Sequence, residues 1–288
     1  MILQVILNAL SQTAIYMIMA LGLTLIFGVM KIPNLTHGAM YAMGAFLHYS
    51  LIEWAGIPFV PALLLAAVAC FGGGLLLERL FFRRSVGGKS PIVAIICGIG
   101  ISTVLVNVIT NIWGAWPLRI ESPFNRILKV GSATISMHSV VIIIVSISIT
   151  VILYAFLRCT KFGCAIRAVS QDHEAAWLIG VNVNTVGLVT FGLGTMLASI
   201  GGMFIAPITA ATPDMGASAE IMGFAIIILG GMGSLGGAII GAFLLGYVDT
   251  FVTSYISGGW GGAVAFMFMI IVILIKPEGL FGKKGRSI

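Results

Sequence analysis

Residues 5–30 read VILNALSQTAIYMIMALGLTLIFGVM, a run with no charged side chain. About 20 apolar residues suffice for a helix to cross the hydrocarbon core of a bilayer, so this stretch spans one with residues to spare. Working outward, comparable runs occupy 35–52, 57–78, 91–115, 137–157, 186–210, 236–257 and 261–276, and a shorter one lies at 220–232. Of the 288 residues, 59% are hydrophobic and only 8% charged, where soluble domains carry about 25% charged residues. A soluble globule could not cover its surface with so few charges, and the apolar content is too high for disorder. The 37 glycines follow no Gly-X-Y period. In transmembrane helices glycine allows close backbone approach. The continuous runs also differ from the alternating ten-residue segments of a membrane β-barrel. The expected fold is therefore all-α: a polytopic integral membrane protein of eight or nine transmembrane segments, with a short or broken segment near 220–232, forming a single domain over 1–288.

Basic loop residues favour the cytoplasmic side. Placing 31–34, 79–90, 158–185 and the tail 276–288 there collects Lys31, Arg79, Arg83, Arg84, Lys89, Arg158, Lys161, Arg167, Lys276, Lys283, Lys284 and Arg286, twelve of the fifteen Lys and Arg residues. Arg119, Arg126 and Lys129 stay on the opposite side, in the outer loop 116–136. Trp54, Trp113, Trp116 and Trp260 then fall near the outer interface, as an aromatic belt does. This arrangement puts the N-terminus outside and the C-terminus inside. It requires an odd number of crossings, so 220–232 either crosses thinly or pairs with a neighbour as a broken helix. No basic stretch precedes the first run, so a cleaved signal peptide is not expected. Net charge is +6, but its concentration in membrane-flanking loops points to lipid rather than nucleic acid.

Several motifs fail on inspection. Gly87-Gly88-Lys89-Ser90 ends like a phosphate-binding loop, but the required first glycine is Arg83, so no ATP site is expected in this chain. Gly231-Met232-Gly233-Ser234-Leu235-Gly236 fits G-x-G-x-x-G, yet it joins two membrane segments instead of opening a βαβ unit. Its continuation as Gly233, Gly237 and Gly241 gives a small-residue face for close helix packing. Cys70 and Cys97 lie in apolar runs and Cys159 and Cys164 in a basic loop, without zinc or disulfide spacing. Of His37, His48, His138 and His173, only His37 and His48 share an element, on one helix face and with no acid in reach, so neither catalysis nor a metal site is expected. One echo, Gly44-Ala45-Phe46-Leu47 against Gly241-Ala242-Phe243-Leu244, hints at an internal repeat of the kind transporters use.

The loop 158–185 carries more information. Asp172 can cap a helix that has Glu174 in its first turn, where the helix dipole favours an anion. Gly180 can end it. Ala175, Ala176 and Ile179 form an apolar stripe that must bury against the membrane surface, the chain's own body or another protein.

Glu174-Ala175-Ala176 followed by Gly180 resembles the front half of the E-A-A-x-x-x-G signature of ABC-importer permeases, without the later I-x-L-P of the commonest of them. The departure suits the branched-chain amino acid permease family, which other blocks resemble in order: 20–30 and 34–45 (Ala20-Leu21-Gly22 through Met30, and Asn34-Leu35-Thr36-His37-Gly38 onward), 163–182, the glycine-rich 230–237, and Lys276-Pro277-Glu278-Gly279-Leu280-Phe281-Gly282. The resemblance implies a permease of a bacterial inner-membrane ABC importer, the shorter LivH-type member of a heterodimer. Its partners would be a second permease, two ATP-binding cassette ATPases and a periplasmic solute-binding protein. ATP and Mg would be held by the ATPases, with no cofactor bound by this chain. By the same resemblance the 158–185 loop is the coupling element that docks on the ATPase, with Arg167, Asp172, Glu174, Ala175, Ala176 and Gly180 as coupling residues.

Polar side chains inside lipid should face protein or water. Asn8, Ser11 and Gln12 share one face of the first span. Asn34, Thr36 and His37 follow Pro33 at an expected helix break, where freed backbone groups can meet a zwitterionic solute. Asn8, Gln12, Asn34, Thr36 and His37 are the candidate pathway residues, with interhelical hydrogen bonding as the competing role. Asn107, Thr110 and Asn111 form a face of the fourth span suited to interhelical bonds. Asp249 reads as the only acid well inside a span, and this scarcity of buried charge favours energy supplied from outside the chain over ion coupling. An ion-coupled carrier or channel stays open as the second reading. Urea, amides or small carboxylates stay open as alternatives to branched-chain or other hydrophobic amino acids as solute.

Overall fold

The structure is a computed structural model and describes residues 2–83, 91–256 and 260–282. The Gly87–Ser90 turn, Arg84, Lys89, Lys283, Lys284 and Arg286 lie outside the described residues. In chain order the helices are α1 (Ile2–Met30), α2 (His37–Glu53), α3 (Phe59–Leu77, prolonged by a π turn over Glu78–Phe82), α4 (Pro91–Trp113), α5 (Met137–Cys159), α6 (Lys161–Gln171), α7 (His173–Leu178), α8 (Val183–Thr209), α9 (Met215–Gly230), α10 (Leu235–Tyr255) and α11 (Gly261–Ile275). Among the described residues, six helices are long and apolar enough to cross a membrane, while α9 and α11 are shorter apolar helices. The protein is thus all-α in its body and polytopic in the membrane. Its departure from all-α is a two-stranded antiparallel hairpin, β1 (Ile127–Val130) with β2 (Ala133–Ser136), turned at Gly131 with φ +61°. The apolar segment expected at 220–232 begins earlier, at Met215.

Side-chain caps mark the helix starts. Ser136, Thr160, Asp172, Asn182 and Ser234 each accept a first-turn backbone N–H of the helix that follows, satisfying donors the helix itself leaves free. Lys31 ends α1 in the left-handed region with φ +56°, and its N–H reaches the Phe27 carbonyl.

α1 and α8 form the buried centre: 83% and 78% of their apolar windows are buried, against 22% for α4 and α5, which face outward. Lipid tails supply no hydrophobic drive for helix association, so small residues and shape decide the packing. Gly22 and Gly194 mark the antiparallel crossing of α1 and α8. A Cβ on Gly22 would come 2.7 Å from the Gly194 carbonyl oxygen, and one on Gly194 would come 2.9 Å from that of Gly22.

The same reciprocity extends through the molecule. Gly38 of α2 and Gly216 of α9 press backbone against backbone. Gly74 of α3 abuts Thr195 of α8, and Gly246 of α10 abuts Thr13 of α1. α1–α4 and α8–α11 thus answer one another as two sets of helices running in opposite directions, α3 lying on α8 as α10 lies on α1. The echo at 44–47 and 241–244 lies on α2 and α10, which this reciprocity does not pair.

Each set contains a helix that starts deep inside. His37 Nε2 donates to the Met19 carbonyl at 3.2 Å, a point about 16 Å short of the end of α1 at 1.5 Å rise per residue. Segment 31–36 therefore returns into the body before α2 begins, and Gly216 against Gly38 puts the start of α9 at the same depth. With 17 and 16 residues, each extends about 25 Å, short of a hydrocarbon core of about 30 Å. The break expected at Pro33–His37 thus has an inverted twin at 210–214, where Ala210 has φ +68°.

α6 and α7 lie at the face where α1 ends, because the His173 ring bonds to the Val29 carbonyl. Arg83, Arg158, Lys161 and Arg167 share this basic face. Arg119, Arg126 and Lys129 lie toward the opposite face, where Leu118 and Ala211 pair their backbones and Trp54 stacks on Trp113 with centroids 5.9 Å apart.

Candidate functional site

Two regions carry the polar chemistry: an elbow on the basic face and a cluster at mid-depth. In the elbow, α6 buries Gly163, Ile166 and Val169 against the body and leaves Arg167 exposed. The loop expected over 158–185 is thus two helices at an angle, and α6 escaped the sequence reading because its polar face looks like loop. Asp172 Oδ1 accepts from the Glu174 and Ala175 amides at 2.9 and 3.0 Å, fixing the corner between them. Gly180 takes φ +85°, as a helix-ending glycine does.

The expected stripe is only partly buried. Ala176 is 2% exposed, whereas Ala175 and Ile179 lie open. Trp177, Leu178 and Ile179 are 66%, 76% and 75% exposed. The short helix and the residue that follows it turn one small residue inward and present three large apolar ones outward, with Glu174 beside them. Behind the elbow, Arg83 bonds Glu78 at 3.0 Å and the Asn184 carbonyl at 3.3 Å, tying α3 to the start of α8. Glu78 is 3% exposed, so the arginine neutralises an otherwise isolated buried carboxylate.

At mid-depth, Asn34, Thr36 and His37 come together and are buried. Asn34 Oδ1 accepts from the Thr36 amide and hydroxyl at 3.1 and 2.6 Å, shaping the turn that admits α2. Because His37 Nε2 donates to a carbonyl, Nδ1 carries the lone pair, and it has no partner. An acid does lie close by. Glu220 of α9, 8% exposed, accepts from the Gly38 amide through Oε2 at 3.2 Å, while its Oε1 is unpartnered. Asp249 is therefore not the only acid within the apolar helices. Glu220 escaped notice because it sits in an apolar segment whose start was placed at that residue; a lone acid in such a run is itself the signal of a buried polar contact.

Gln12 is separate from this turn. It lines a cavity of about 210 Å³ with Tyr16 of α1, Tyr41 of α2, Thr209 of α8 and Ser218 of α9, walled by Ile205, Met215 and Ala219. The Tyr16 hydroxyl donates to Asp249 Oδ2 at 2.9 Å. Asn8 is not part of either group; it is exposed near the start of α1 and accepts from Gln4. Asn107, Thr110 and Asn111 bond carbonyls four residues back on their own helix and make no interhelical bond among the described residues. A second cavity, about 310 Å³, lies toward the opposite face between Ser122, Asn125, His138 and Pro207. Gly237 packs on Gly230 and Gly241 on Ile226, closing α10 on α9, while Gly233 takes φ +83° beside Gly28. Among the described residues no cluster of His, Cys, Asp and Glu could hold a metal ion.

Comparison with known proteins extends this geometry. The chain is 29% identical to the high-affinity branched-chain amino acid transport system permease protein LivH of Salmonella typhimurium, over 98% of this chain and 96% of that one. It is 26% identical to the permease protein LivM of the same organism's high-affinity branched-chain amino acid transport system, over 94% of this chain and 68% of that one. The solved structure of PsaBC from Streptococcus pneumoniae in complex with Fab shares the fold, with a TM-score of 0.53 at 15% identity, covering 95% of this chain and 92% of that one. Residues 5–273 match the family described as Branched-chain amino acid transport system / permease component, and the chain belongs to that family.

Proposed function

We propose that this chain is one of two permease subunits of a bacterial ABC importer for branched-chain or other hydrophobic amino acids. Two ATPase subunits, holding ATP and Mg, drive it from the basic face, and a periplasmic solute-binding protein delivers solute to the other. The chain is multi-pass in the inner membrane, with its N-terminus periplasmic and its C-terminus cytoplasmic, and hydrolyses nothing itself. The observation that carries this reading is α7. Trp177 and Leu178 project from a six-residue helix that is fastened to the end of α1, and Ile179 projects from just past its end. So much apolar surface outside the spans suits a cleft in a partner protein, and Arg167, Asp172 and Glu174 are placed to orient it. Two oppositely running sets of helices meeting through deep half-helices supply the rocking bodies of alternating access. Similarity to both LivH and LivM supports a pair of related permeases.

Glu174 is exposed and its side chain bonds no other residue in the described chain, so it tests docking without disturbing the fold. Glu174→Lys in the assembled complex is expected to abolish solute-stimulated ATP hydrolysis while insertion and complex assembly persist. Coupling at the wild-type level would overturn the assignment of α7. The orientation has its own test. Cys159 and Cys164 are free and exposed on the basic face, and Cys70 is buried. An impermeant maleimide is expected to label Cys159 and Cys164 only after the cells are opened. Labelling in intact cells would place the elbow in the periplasm and end this reading. Buried Glu220 is the observation on the side of an ion-coupled carrier, and uptake by the chain alone, in liposomes without ATPase, would decide for that alternative.

A further inference from the structure

The two deep half-helices treat their amino ends differently. At α2 the first-turn amide of Gly38 is taken by Glu220, so a carboxylate from the chain itself fills that end, as the helix dipole favours. The inverted equivalent is Gly216 of α9. Its amide has no hydrogen-bond partner among the described residues, and the Asp214 side chain at the cap position accepts no first-turn N–H, only its backbone carbonyl taking that of Ala217. Glu220 lies one turn beyond Gly216; one turn beyond Gly38 the residue is Ala42, so α2 offers no acid in return.

What lies at the first turn of α9 is the cavity of about 210 Å³, into whose lining Met215 and Ser218 enter. Tyr41 also lines it. That side chain is 4% exposed, its ring is packed on Gly201 and Gly202, and its hydroxyl has no hydrogen-bond partner among the described residues. The hydroxyl oxygen is not fully enclosed and opens on the cavity as a donor. Tyr16 supplies the opposite polarity, because its proton is committed to Asp249 and its oxygen, which the Gln12 side chain also approaches, is an acceptor backed by a carboxylate. At about 30 Å³ per water in the liquid, the volume suits roughly seven non-hydrogen atoms, the scale of a small amino acid.

We propose that this cavity is a solute subsite inside the permease, taking a small α-amino acid with its carboxylate at the amino end of α9 and the Tyr41 hydroxyl, and its ammonium toward the Tyr16 oxygen. Ile205, Met215 and Ala219 wall the side chain, and Gln12 closes the polar rim. The inference rests on the amino-acid permease reading and adds to it a site within one subunit, built from both sets of helices. The filled twin at α2 indicates the chemistry: a carboxylate is what this fold seats at a deep amino end.

The test measures radiolabelled L-valine binding to the assembled transporter, purified without its solute-binding protein and held without ATP, alongside ATP-driven valine uptake by the complete system. Isovalerate, which keeps the carboxylate, and isobutylamine, which keeps the ammonium, serve as competitors. Tyr41→Phe keeps the ring contacts and is expected to weaken valine binding at least tenfold, the scale of a hydrogen bond to a charged group. Ala219→Phe fills the cavity and is expected to abolish binding, and isovalerate is expected to compete better than isobutylamine. Wild-type affinity in Tyr41→Phe, equal competition by the amine, or no valine binding by a transporter that imports valine each overturns the subsite and leaves the importer reading intact. A complex that imports no valine, leucine or isoleucine overturns the importer reading, and the subsite falls with it.

Discussion

Gly216→Val is expected to abolish transport and to lower the unfolding temperature of the purified protein by more than any surface change. A Cβ at residue 216 would fall far inside contact distance of the Gly38 carbonyl oxygen and carbon. Both partners are backbone, which cannot swing aside as a long side chain does. Overpacking of ordinary cores costs about 1–3 kcal/mol; with two helix backbones as the obstacle, about 3 kcal/mol or more is expected here. Gly72→Ala in α3 and Gly100→Ala in α4 are the controls. Nothing lies within 4 Å of the added atom at either position, and replacing a helical glycine by alanine gains about 0.5–1 kcal/mol. Thermal unfolding in detergent, read by fluorescence-detected size exclusion, separates the two classes. A Gly216→Val protein that melts with the wild type would show that the two deep helices do not meet as described.

Glu220→Lys is expected to be the second severe lesion. The substitution replaces a buried carboxylate at the positive end of α2 with a cation and removes the acceptor of the Gly38 amide. Leaving an uncompensated charge inside a protein costs about 3–5 kcal/mol, and here the helix dipole adds to the cost. The variant is expected to insert poorly and to be degraded. Glu220→Gln keeps a carbonyl acceptor for Gly38 and is expected to fold. Steady-state level in the membrane, measured by immunoblot, checks both. Equal levels of Glu220→Lys and wild type would show that the site is open to water.

Much of this architecture can be read from the chain because lipid imposes a simple length rule. The runs at 5–30, 91–115 and 137–157 correspond within a few residues to α1, α4 and α5. Asp172 and Gly180 also mark the α7 corner plainly, since caps act through their own neighbouring amides. Depth is what composition conceals. Nothing in His37 or Met215 says that its helix begins midway, because that is set by Gly38 against Gly216 and by the reach of His37 to Met19, contacts between residues far apart in sequence. Composition also conceals which polar residues turn inward. Asn107 and Asn111 look like partners for a neighbouring helix, yet they bond their own turns, while Glu220, Tyr16 and Asp249 meet across helices. Arg83 sits outside every span and still neutralises buried Glu78.

α1 is gripped at both extremities. At one, the His173 ring holds the Val29 carbonyl. At the other, the Gln4 carboxamide makes two bonds to the Thr134 backbone, 2.8 Å each, in the hairpin. A stiff rod fastened at each end conducts displacement lengthwise, because its own ladder of hydrogen bonds resists stretching. A displacement of the elbow would thereby reach the hairpin at the opposite face, and a displacement of the hairpin would reach the elbow.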